Sequence, residues 1–147
     1  MLGYSLIALL VLFAGFAAYV RLAPSDAIGL HVNPASVTSP NPRNSWLVAD
    51  GGNAPPLMVP LPPEAVAAKL AAIASATPRT TLLAGGGLHT TWITRSKLMG
   101  YPDATSVMIS PAPGGSQVTV YARSRFGQGD GGVNRARVNS WISQLGA

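Results

Sequence analysis

The chain has 147 residues, no cysteine, and ten Lys and Arg against five Asp and Glu, a formal net charge of +5. That length holds one domain of ordinary size, and the missing cysteines exclude a disulfide framework, a thiolate metal site and a cysteine nucleophile. Only 10% of residues are charged and mean hydropathy is +0.29, against roughly 25% charged in a typical soluble domain.

The cause of that imbalance is local. Leu2 to Val20 is a run of 19 residues without a charged side chain, rich in Leu, Ala, Val, Ile and Phe. As a helix it spans about 28 Å, close to the roughly 30 Å hydrocarbon thickness of a bilayer. A cleavable signal peptide wants a basic n-region, an apolar core of about 7–15 residues and a small-x-small cleavage site. Here no Lys or Arg precedes the run, and it closes on Tyr19-Val20-Arg21. Tyr4 and Tyr19 bracket it where aromatic rings favour the membrane–water interface, and Arg21 follows as a snorkelling anchor. Residues 1–21 are therefore expected to be a retained, single-pass transmembrane anchor. The α-amino group on one side and Arg21 on the other are too few charges to set its orientation.

Residues 22–42 form a Pro-rich linker, and the proline density continues to Pro63; proline fixes φ and removes donors, so extended backbone and loop are expected. Ser45–Ala49 reads as a short strand stopped by Asp50-Gly51-Gly52. From Pro63 to about Thr77 the pattern is helical, with Val66, Leu70 and Ile73 on one stripe and Pro78 as the stop. Leu82-Leu83 and Leu88–Thr94 read as strands around Gly85-Gly86-Gly87, and Ser106–Ser110 as another before the turn Pro111–Gly115. In the strand Gln117–Arg125, Val118, Val120 and Ala122 share one face, and Thr119, Tyr121, Arg123 and Arg125 the other. A last helix is expected from Asn134, as N-cap, to about Leu145. Val133 and Val138 sit at hydrophobic-staple positions, and Val138, Trp141, Ile142 and Leu145 form its apolar stripe. The fold class is α+β: an N-terminal transmembrane helix, then a domain over residues 43–147 with a small antiparallel sheet and two helices packed on one face.

The segment Tyr121-Ala122-Arg123-Ser124-Arg125-Phe126-Gly127-Gln128-Gly129-Asp130-Gly131-Gly132-Val133-Asn134-Arg135-Ala136-Arg137-Val138 resembles the signature of a bacterial family, domain of unknown function 1499. Trp92-Ile93-Thr94-Arg95-Ser96 and Gly100-Tyr101-Pro102-Asp103 are similar to its second block. The resemblance covers about residues 43 to 145. Gly131 departs from it, since Leu is commoner there. The family carries no assigned activity. Because many relatives are exported or anchored by an apolar N-terminal segment, the resemblance implies a bacterial inner-membrane protein with its domain on the periplasmic side.

The loop Gly127–Gly132 ahead of a helix is the most suggestive feature. Glycines permit φ > 0, and a helix N-terminus offers N–H groups to an anion. Arg123, Arg125, Arg135 and Arg137 flank it, and guanidinium groups suit phosphate or carboxylate. Arg123, Arg125, Asp130, Asn134 and Arg137 are thus the candidate anion or partner contacts. The rival reading makes the corner structural, with Asp130 paired to Arg125, Arg135 or Arg137. No P-loop or dinucleotide fingerprint occurs. Asp103 and Asp130 are the carboxylates an acid–base pair would use, but nothing in the sequence places them together. His31 and His89 lack further ligands at metal spacing. Six of the ten basic residues fall between Arg95 and Arg137, but aromatic interleaving is thin, so anionic lipid is the expected source of negative charge and nucleic acid is not. The sequence leads to a non-catalytic protein without metal or cofactor. It is expected to be an accessory, assembly or stabilising subunit of an integral-membrane complex, the alternative being an anionic small-molecule or lipid-headgroup binding module.

Overall fold

The structure is a computed structural model and describes residues 2–146. Helix α1, Leu2–Leu22, is followed by a single-turn helix α2, Ala27–Leu30, and a 3-10 turn at Pro34–Ser36. Asp26 and Asn33 start these two short turns by accepting backbone N–H groups on their side chains, the usual role of short polar residues at helix starts. The domain then runs β1 Ser45–Val48, β2 Leu57–Val59, α3 Pro63–Ala76, β3 Thr80–Gly86, β4 His89–Arg95, β5 Pro102–Ala112, β6 Gly115–Ser124 and α4 Val133–Leu145.

The sheet is antiparallel in the order β1-β6-β5-β4-β3. β2 pairs with β6 as well, at 116–118, while β1 takes 120–123, so the two short strands share one edge. β5 extends further than its apolar residues suggest. It begins at Pro102, and its first six residues are all buried although Asp103, Thr105 and Ser106 are polar.

Helices α3 and α4 cover one face. Val66, Leu70 and Ala74 of α3 and Val138, Trp141 and Leu145 of α4 are buried against Trp92, Val107, Ile109, Val118, Val120 and Ala122. Ala74 takes the deep position next to Ile73, which is only partly buried. Trp141 also donates its indole N–H to Thr77 Oγ1 at 2.9 Å, tying the two helices together at the end of α3.

The opposite sheet face is covered by the stretch read from sequence as linker. Pro34 is buried, and the 3-10 turn packs on β5 and β6. Its backbone is held by the sheet's polar side chains. Ser106 Oγ donates to Leu30 O at 2.9 Å, Arg123 donates to the same carbonyl, and His89 Nε2 donates to Val32 O at 3.1 Å. Burial pushes the Arg123 guanidinium below its ordinary pKa, with Tyr121 opposing. His31 and His89 stack with ring centroids 3.8 Å apart. Gly85, at φ +80, is needed here, because a Cβ would lie 2.6 Å from His31 Cε1 and 2.2 Å from His89 O.

Helix α4 starts differently from the sequence expectation. Gly132, at φ +82, is the cap residue, and Val133 opens the helix with its side chain half exposed rather than stapled. Gly131 precedes it at φ +59. Two consecutive left-handed residues suit glycine far better than any residue with a side chain.

Candidate functional site

The Arg/Gly/Asp/Asn corner sits where β6 turns into α4, and the structure spends its polar groups internally. Asp130 accepts from the amides of Gly132 at 2.9 Å and Asn134 at 3.1 Å. Burial raises the Asp130 carboxyl, but those amides and the Asn134 side chain together outweigh it and hold it below the ordinary value. The helix N-terminus thus already has its anion, supplied by the chain. Asn134 is fully buried and bridges elements: its side-chain N–H groups donate to Asn44 O at 3.2 Å and Ser124 Oγ at 3.0 Å, while its Oδ1 accepts from Arg137 at 2.9 Å.

The arginines do not converge. Arg137 pairs with Asp103 at 2.8 Å, not with Asp130. Arg123 reaches Leu30 O and stacks over Tyr121 at 4.6 Å. Arg125 donates to Pro24 O and lies 5.3 Å from the Phe126 ring, and Arg135 covers Trp46 at 4.8 Å. The concavity at this corner, 260 Å³, is lined by Asp103, Asp130, Ser96, Tyr101 and Phe126 and by no arginine. Its charged lining is negative, opposite to an anion's need. Asp103 and Asp130 do meet at this cavity, but one is paired and the other caps a helix.

A second built feature joins α1 to the domain. Val20 is 0% exposed, and Ala23 is also buried. Arg95 Nη1 donates to Val20 O at 3.3 Å and Gly100 O at 3.0 Å, while Arg21 Nη2 donates to Leu98 O at 2.6 Å. Gly100, at φ +75, admits Arg21, since a Cβ there would fall 2.7 Å from Arg21 Cγ. Tyr19 meets Phe126 edge-on at 6.4 Å, and Phe126 meets Tyr101 at 6.0 Å. Above this seat α1 is bare: Tyr4, Leu6, Leu9, Leu12 and Phe13 are all exposed. Local sequence reading finds Arg21 as an anchor but not its seat, because Arg95 and Gly100 lie more than seventy positions downstream.

Fold and site together define a small α+β domain of one six-stranded antiparallel sheet, carried on an apolar N-terminal helix long enough to cross a membrane. The chain belongs to a protein family of unknown function, DUF1499, whose model matches residues 31–145. The match begins at His31, so it takes in part of the stretch that crosses the second sheet face. No curated protein and no solved structure matches the chain.

Proposed function

We propose that the chain is a non-catalytic, single-pass protein of the bacterial inner membrane that serves as an accessory or stabilising subunit of an integral-membrane complex. The observation that carries the reading is the contrast within α1. Its first turns expose contiguous apolar side chains, which only lipid or a membrane partner satisfies, while its last turn is locked into the domain by Arg95, Arg21 and Gly100. A segment destined for cleavage has no need of such a seat. The two carboxylates of the corner are committed to structure, Asp103 to Arg137 and Asp130 to α4, which supports a binding role over a reaction. The resemblance to exported and anchored relatives supports a periplasmic domain.

Extraction in a mild detergent followed by size-exclusion chromatography and mass spectrometry tests the subunit role. The expected result is co-migration with an integral-membrane protein at constant ratio, lost when α1 is replaced by an unrelated transmembrane helix. Migration of the chain alone from native membranes would contradict it.

A further inference from the structure

Next to the α1 seat lies a cavity of 440 Å³ lined by Arg21, Arg79, Arg95, Lys97, Ser96 and Thr81. Its volume falls in the roughly 300–1,000 Å³ range of small-ligand sites. Four of the chain's ten Lys and Arg residues line it, and no carboxylate does. Among the described residues the one ion pair is Arg137–Asp103, so none of these four cations has a counter-ion.

Their donors are largely unspent. Arg21 uses Nη2 on Leu98 O, Arg79 uses Nε on Arg95 O at 2.9 Å, and Arg95 uses Nη1 on two carbonyls. A guanidinium has five N–H donors in a fork matched to oxyanions, and an ammonium has three. Arg79 moreover sits at φ +58, the one non-glycine residue with positive φ among those described. That conformation is strained for an L-residue, and glycine would avoid it. Here it orients a guanidinium on the cavity wall. Arg21 lies in the last turn of α1, beside exposed Leu22 and bonded to the carbonyl of exposed Leu98. Exposed apolar side chains beside cations suit a membrane interface.

We propose that this cavity binds the phosphate ester of an anionic phospholipid headgroup in the leaflet facing the domain. The inference rests on the membrane anchoring proposed above. Lipid phosphate would supply the missing counter-ion, and the acyl chains would lie along the exposed surface of α1.

The test uses the full chain purified from membranes in dodecyl maltoside, with intact mass first confirming that α1 is present. A shortened mass at this step indicts the anchoring, whereas failure of the titration in intact protein indicts only the cavity. Native mass spectrometry then counts bound lipid during titration with phosphatidylglycerol, phosphatidylcholine or glycerol 3-phosphate. Phosphatidylglycerol should be retained at least about tenfold better than phosphatidylcholine, with the preference lost in Arg79→Gln/Lys97→Gln. Lys97 is exposed and has no hydrogen-bond partner among the described residues, so Lys97→Gln should leave the melting temperature unchanged and weaken retention severalfold. The charge-matched control Arg43→Gln/Arg135→Gln should bind as the parent does. Equal retention of the two lipids, or equal loss in the control, would overturn the site. Saturation by glycerol 3-phosphate at the concentration that phosphatidylglycerol requires would overturn the lipid as its occupant.

Discussion

Arg137 is the residue on which most of the corner depends. It donates to Asp103 at 2.8 Å and to Asn134 Oδ1 at 2.9 Å, and both it and Asp103 are almost wholly shielded from solvent. Removing one partner of a buried pair strands the other's charge, at a cost of about 3–5 kcal/mol. Arg137→Met should therefore lose stability of that size by urea unfolding, and much of it should return when Asp103→Asn is added. A loss under about 1 kcal/mol would show the pair to be solvated. The sequence displays the ingredients of this corner but not its wiring. Asn134 reads as the helix cap because a good capping residue precedes an apolar stripe. Its amide is instead taken by Asn44, ninety positions away, and by Ser124, so Asp130 caps the helix through two left-handed glycines. Local windows carry no information on a partner ninety residues distant.

Among elements, the strands and helices with clear periodicity are legible: α3, β6 and α4 appear where apolar spacing of 3.6 or 2 places them. β2 is missed because three residues between prolines carry too little pattern, and the start of β5 because Pro102 and Asp103 carry no apolar pattern, Asp103 being buried only through its pair with Arg137. The covering stretch across the second face is missed because its adhesion is polar and comes from the sheet. That stretch should be sensitive to acid. Burial first, then the neighbouring His89, push His31 below its ordinary pKa. Ser106 donates to Leu30 O, so Thr91 donates to Ser106 and accepts from His31 Nδ1; His31 can donate there in either protonation state, so burial and His89, not this bond, disfavour its charge. A depressed pKa means the unfolded chain binds the proton more readily. The stabilisation is therefore complete above about pH 6.5 and is lost as pH falls through the lower folded value. Hydrogen exchange of residues 27–37 should accelerate between pH 7.5 and pH 5.5, after correction for intrinsic rates, and more than that of β5. Equal protection at both pH values would contradict this dependence on His31.

For the molecule as a whole, the unusual feature is a rigid junction. A tethered domain needs only a flexible linker, but here residues 23–37 lie on the sheet and the last turn of α1 is buried in the domain. The consequence is a fixed angle between helix and domain, with the basic cavity beside the last turn of α1 and the corner of α4 turned to structural use. The transmembrane length of α1 is plain from sequence. That its end is built into the fold is not, because the seat is made of Arg95, Gly100 and Leu98. Everything proposed about partner and lipid requires that this helix stay in the mature protein. Intact mass of the chain extracted from native membranes tests this most directly. The account predicts a species of about 15.1 kDa that includes α1, and a chain beginning beyond Leu22 would contradict it.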